Sequence, residues 1–204
     1  MSNSGAGKDR PVWSPPADLD QRFIPRHRQP ARTWFRVHAE NDPVLSFRLA
    51  THHRFSHPDS PHKLLYVGSD PATCLWERFG DDAFRGCRAL SRRLWAESVL
   101  SQIQVPEIHV CDLASTALRT VLTVDRASLM SHDFALTQAW GLAIQRHPVR
   151  FQGIRYSSRF IDRPCLALFD ADDFAARLKA TVLGGLADLE AATVWLERYK
   201  MAMI

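Results

Sequence analysis

The sequence predicts an α+β domain whose sheet is mostly antiparallel. Short β-prone runs are interspersed with amphipathic helical stretches along the chain, so both element types belong to one domain. Several intervals between those runs are too short for the helical crossover that parallel neighbours require. The 204 residues, 46% hydrophobic and 24% charged, suffice for a buried core without disulfide or metal staples.

Residues 1–30 carry Pro11, Pro15, Pro16, Pro25 and Pro30 among charges and little apolar periodicity, which predicts an extended arm. Trp13, Leu19, Phe23 and Ile24 are the side chains able to pin it to a domain formed by residues 31–204. Thr33–Val37 is a β-prone first strand, broken by Asn41-Asp42-Pro43. Val44–Ala50 is irregular, and Thr51–His62, rich in His, Pro, Ser and Asp, is a loop carrying Arg54. Lys63–Gly68 is a buried strand. Ser69-Asp70-Pro71 then starts a helix, with a capping side chain ahead of an early proline. That helix runs through Ala72–Phe79 and stops near Gly80. Ser91–Leu100 is predicted helical, Ser101–Val110 a strand pair punctuated by Pro106, and Asp112 to Leu122 short and mixed. Ser131-His132-Asp133 offers caps for a strong helix over Phe134–Gln145, with Leu136, Ala139, Trp140, Ala143 and Ile144 on one face. Gly153–Ser157 is a strand, Arg159–Arg163 a turn, and Cys165–Phe169 the most apolar strand. Helices follow over Asp172–Ala180 and Ala187–Tyr199, with a return to extended chain at the end.

The net charge of +4 and pI near 9.1 are mild and come largely from arginine, whose planar fork suits phosphate and carboxylate. Nucleic acid and a pyrophosphate-bearing ligand both fit that surplus, yet the basic residues are scattered as on an ordinary solvated surface. Cys74, Cys87, Cys111 and Cys165 lack the paired spacing of a zinc ribbon, and Cys165 lies in an apolar run. The N-terminus has no apolar signal region, and no stretch approaches the ~18 apolar residues that span a bilayer. A cytoplasmic protein with reduced cysteines is the expectation, with no membrane partner.

The most informative stretch runs from Trp34 to Arg159. It contains Trp34-Phe35-Arg36-Val37-His38, then Arg54-Phe55, Leu65-Tyr66-Val67-Gly68, Glu77, and finally Gly153-Ile154-Arg155-Tyr156-Ser157-Ser158-Arg159. In this order and at these intervals the pieces resemble the RES domain, named for an arginine, a glutamate and a serine. The match covers roughly residues 33–170. That family is typically the toxin half of a bacterial toxin–antitoxin pair and is similar in fold to ADP-ribosyltransferases, whose split β-sheets hold NAD in a cleft. The resemblance therefore implies an ADP-ribosyltransferase-like split sheet with flanking helices. It implies NAD as substrate, with no prosthetic group and no metal.

The resemblance also assigns roles. Arg36 is expected to hold the NAD pyrophosphate in bidentate fashion, and Arg54 to grip phosphate or ribose. Tyr66 is expected to stack on the nicotinamide ring or to hydrogen-bond the adjacent ribose. Glu77 is the principal catalytic candidate. Losing nicotinamide builds positive charge on the ribose, and a fixed carboxylate stabilises that charge more than it stabilises the neutral sugar. Ser158, or Ser157 as the fallback, is expected to orient the nicotinamide ribose or amide. The residues themselves leave plainer roles open: a surface pair of Arg36 with Glu40, a core position for Tyr66, a solvated helix face for Glu77 beside Arg78, a backbone contact for Ser158. The sequence departs from the family around Arg54, where His52-His53 and Ser56 replace glycines and an asparagine. His52, His53, His57 and His62, with Asp59 among them, follow no ligand template and read as a polar loop near an anion site.

The leading expectation is an enzyme that cleaves the nicotinamide–ribose bond. ADP-ribose then passes to water, as in an NAD glycohydrolase, to phosphate, as in an NAD phosphorylase, or to a protein target, as in an ADP-ribosyltransferase. A cognate Xre-type antitoxin with a helix-turn-helix part is implied as partner. A non-catalytic module binding an NAD-like ligand is the alternative. Direct nucleic-acid binding ranks last, for want of a recognition helix or an aromatic-basic strand motif.

Overall fold

The computed structural model describes residues 14–84, 88–132 and 134–204. Trp13, Cys87 and Asp133, each considered above, lie outside the described residues.

Eight strands form one sheet: β1 (His27–Gln29), β2 (Arg32–Ala39), β3 (Leu64–Gly68), β5 (Ser98–Val105), β6 (Ile108–Asp112), β7 (Gly153–Ser157), β8 (Pro164–Phe169) and β9 (Lys179–Gly185). Their order is β1-β6-β7-β8-β3-β2-β5-β9, and every neighbouring pair is antiparallel except β6–β7. That parallel pair is joined across the helices α3 (Thr116–Leu122), α4 (Arg126–Met130) and α5 (Phe134–Gln145). On another flank α1 (Pro71–Asp82), α2 (Arg92–Ala96) and α6 (Glu190–Tyr199) pack together, and β4 (Ala89–Leu90) pairs in parallel with β10 (Ala202–Met203).

The sheet curls because one long antiparallel ribbon is broken in the middle. Gln29 lies opposite Ile108 on β1–β6, and Arg32 opposite Val105 on β2–β5, so the register continues unchanged across the break. Between them stand Pro30-Ala31 on one strand and Pro106-Glu107 on the other. Proline has no N–H to give to a ladder, so the break falls where ladder bonds are lost anyway. One half of the ribbon stays beside β3; the other half closes onto β7. A largely antiparallel half-barrel flanked by helices results, within the predicted α+β class.

Side-chain alternation divides the core. Leu64, Cys165, Ala167 and Phe169 are buried with Trp140 and Ile144 of α5. Leu65, Val67, Leu166 and Leu168 point the other way and meet Trp34, Ile103, Val105, Ile108 and Val110 inside the curl. Leu75, Trp76 and Phe79 of α1 form a third cluster with Trp95 and Trp195. Before β1, Leu19 and Ile24 are buried in the first cluster while Phe23 is 82% exposed, so two of the four proposed pins hold the described part of the arm.

Four local expectations are corrected. The helix expected over Ser91–Leu100 is the five-residue α2, because Ser98–Leu100 belongs to β5, pairing with β2. Ser101–Val110 does hold two strands parted at Pro106, but they pair with different partners and not with each other. Asp172–Ala180 holds one 3-10 turn, Phe174–Arg177, before Lys179 enters β9. Gly80 does not stop α1 but lies within it, where a Cβ would come within 2.6 Å of the Phe160 ring.

Candidate active site

Helix α1 starts where its sequence specifies. Asp70 accepts hydrogen bonds from the Thr73 amide, the Thr73 hydroxyl and the Ser69 hydroxyl, each at 2.9 Å, and Pro71 opens the first turn. Burial opposes the Asp70 charge, but the hydrogen bonds, those from Thr73 foremost, outweigh it and hold its pKa below the ordinary value. With Leu75, Trp76 and Phe79 committed to the helical cluster, Glu77 is left on the flank that faces the sheet and its cleft.

Three groups converge on the Glu77 carboxylate. The Ser158 hydroxyl donates to Oε1 at 2.7 Å, and the Tyr156 hydroxyl reaches Oε2 at 3.5 Å. The Arg54 guanidinium lies 3.7 Å from Oε2 through Nη2. Arg54 itself is 8% exposed. Its Nη1 donates to the Leu129 carbonyl at 2.9 Å, its guanidinium carbon lies 4.7 Å from the Tyr156 ring centroid, and Nη2 has no hydrogen bond among the described residues. A buried cation is costly without an opposite charge, so Arg54 and Glu77 compensate each other across the cleft floor.

The Arg54 loop is held from three sides. The Tyr66 hydroxyl donates to the Arg54 carbonyl. From α5, Gln138 donates to the carbonyls of Thr51 and His53 at 2.6 and 3.1 Å. Phe55 is fully buried with φ of 65°, a left-handed conformation that is strained for a bulky side chain. Gly141 of α5 lies against it so closely that a Cβ there would fall 2.6 Å from the Phe55 Cα. Packing against α5 thus holds the turn.

The cleft above has a volume of about 450 Å³, within the range of small-molecule sites. Arg36, Arg54, Tyr66 and Glu77 all line it, joined by His53, Arg78, Tyr156, Arg159 and Phe160. Arg36 projects from β2 and is fixed through Nη1, which donates to the carbonyls of Val44 and Pro43. Burial draws its pKa down to about 10, so it stays cationic at neutral pH. The Tyr66 and Tyr156 phenols are pushed well above their ordinary value by burial and remain protonated donors. His53, tilted over the Tyr66 ring at 5.3 Å, has a pKa lowered to about 4 by the surrounding protein and by His52, Arg78 and Arg36.

The four sequence-predicted residues that face the cleft thus share one pocket. Ser158 is 1% exposed and is not among the lining residues; it touches the site through Glu77. Ser157, the fallback, lies beside a separate small cavity of about 10 Å³. Sequence reasoning missed Gly141, which has no motif to mark it, and gave no role to Tyr156, although that residue stands in the quoted motif. Among the described residues no set of three His, Cys, Asp or Glu side chains is arranged to hold a metal ion, and Cys74, Cys111 and Cys165 are free and buried. No described helix is long and apolar enough to cross a membrane.

Fold and cleft together define a half-barrel protein with an acid–guanidinium pair at the base of a ligand-sized, arginine-lined site. Residues 29–191 match the RES domain, and the chain belongs to that family. Its fold is similar to that of a chain in the crystal structure of the M. tuberculosis MbcT–MbcA toxin–antitoxin complex. The TM-score is 0.62 over 84% of this chain and 90% of that one, at 16% identity. No curated protein matches the sequence significantly.

Proposed function

We propose that this protein cleaves the nicotinamide–ribose bond of NAD and is the toxin of a toxin–antitoxin pair. The observation that carries the proposal is the Glu77 carboxylate, held by the hydroxyls of Ser158 and Tyr156 and by Arg54, on the floor of an arginine-lined cleft.

The chemistry follows from that arrangement. As nicotinamide departs, positive charge grows on the ribose ring, and a carboxylate already fixed in place stabilises it without reorganising. Ser158 and Arg54 act through Glu77 by holding its orientation. Tyr66 holds the Arg54 backbone with its hydroxyl, which leaves its ring for contact with nicotinamide or ribose. Arg36, already anchored, offers a fixed cation to the pyrophosphate. The bond electrons leave with neutral nicotinamide, and ADP-ribose passes to water, to phosphate or to a protein side chain.

The partner is an antitoxin that closes the cleft while bound, carrying a helix-turn-helix DNA-binding part of the Xre type. Membership of the RES family and likeness to a chain of a toxin–antitoxin complex support that reading. Incubating the purified protein with NAD, and identifying free nicotinamide and the ribose-containing product, tests the chemistry. No nicotinamide release, with or without phosphate or cell extract, would overturn it.

A further inference from the structure

Five arginines line the cleft, and four are already engaged. Arg36 donates to the carbonyls of Val44 and Pro43. Arg48 reaches Asp42 and Ser46, both at 2.6 Å. Arg54 reaches Leu129 and Glu77, and Arg159 reaches Asp81 and His132. Arg78 differs: among the described residues it has no hydrogen bond and no ion pair, and its guanidinium lies 5.9 Å from the Phe79 ring centroid.

Arg78 is also close enough to Arg36 and His53 to disfavour positive charge on both. Two cations lining one cleft, one of them without an ion pair among the described residues, repel each other until an anion comes between them. A ligand carrying two adjacent phosphates supplies that anion. In NAD the diphosphate is joined through a single methylene to the nicotinamide ribose. Glu77 and Arg78, consecutive on α1, can therefore serve adjacent groups of one ligand.

We propose that Arg78, with Arg36, holds the diphosphate of the dinucleotide and so selects it over phosphate-free nicotinamide ribosides; this rests on the NAD reading above. Arg78 is exposed, so its replacement leaves the fold intact. The decisive experiment pairs binding with kinetics. Affinity for inorganic pyrophosphate is measured by calorimetry on the wild type, Arg78→Ala and Arg78→Lys, and KM and kcat for NAD and nicotinamide riboside are measured alongside. Arg78→Ala is expected to weaken pyrophosphate binding about tenfold and to raise KM for NAD by a similar factor, with a much smaller change for the riboside. Arg78→Lys should recover part of the loss. Unchanged pyrophosphate affinity in Arg78→Ala overturns the proposal even if NAD turnover is normal. Conversely, pyrophosphate binding that depends on Arg78, in a protein releasing no nicotinamide, supports the anion site and refutes the NAD reading.

Discussion

Ser158 and Glu77 form a donor–acceptor pair whose separate removal should read out differently. Glu77→Gln keeps the shape and the Ser158 contact but removes the charge. It is expected to reduce nicotinamide release by about a hundredfold or more while the circular dichroism spectrum stays native. Near-normal turnover would dismiss Glu77 as the charge-stabilising group. Ser158→Ala leaves the carboxylate charged but held only through Oε2, so kcat should fall about tenfold with KM nearly unchanged. A rise in KM instead would give the Ser158 hydroxyl a direct ligand contact. Arg36→Ala should raise KM for NAD about tenfold with a smaller effect on kcat, and an unchanged KM would move the phosphate role elsewhere. At this scale the sharing of one cleft by Arg36, Tyr66 and Glu77 was legible, because all three stand in the pattern that resembles the family. The position of Ser158 behind Glu77 was not, since chain order carries no information about which of two polar groups lies nearer the cleft.

Among the elements, α1 and α5 set the geometry that the side chains inherit. Removing the Asp70 cap with Asp70→Ala should cost about 1 kcal/mol of unfolding free energy in urea titrations, and a negligible change would show that packing alone fixes the start of α1. For α5 the sensitive position is Gly141. An alanine there meets the Phe55 backbone, so Gly141→Ala should destabilise the protein by about 1–3 kcal/mol and depress turnover by displacing Arg54. Wild-type stability and turnover in that variant would mean that the loop has room to yield. The start of α1 was readable from Asp70-Pro71 and the span of α5 from its apolar periodicity, because both signals are local. The left-handed turn at Phe55 was unreadable: nothing in His52-His53-Arg54-Phe55-Ser56 asks for it, and it packs against Gly141, 86 positions further along the chain. Ser98–Leu100 was misassigned for a related reason, since pairing with β2 overrides local helical preference.

Over the whole molecule, the α+β class followed from element spacing, whereas the strand order did not. Pro30 and Pro106 each signal a break, but only their apposition in one ribbon shows that the breaks are a single bend. The fold also carries an acid sensitivity. His38 is 4% exposed, and burial, its largest influence, lowers its pKa below the ordinary 6.5. In neutral form Nδ1–H donates to the Ala39 carbonyl and Nε2 accepts from the Ser101 hydroxyl, each at 2.9 Å. The unfolded chain takes up this proton near pH 6.5 and the folded chain only at lower pH. Unfolding therefore binds a proton in that interval, and stability falls as pH drops from about 6.5 toward the folded value. Urea midpoints at pH 7.5 and 5.5 should show a smaller drop for His38→Gln than for the wild type. Equal drops would assign the acid sensitivity to other groups.

The hydroxyl that steadies Glu77 comes from 81 residues further along the chain. A ribosome must therefore release β7 before the carboxylate meets its donor, and the ribbon beginning at β1 waits for β6. For most of its synthesis the nascent polypeptide has no assembled pocket, so whatever the finished cleft does begins only after β7 has left the ribosome.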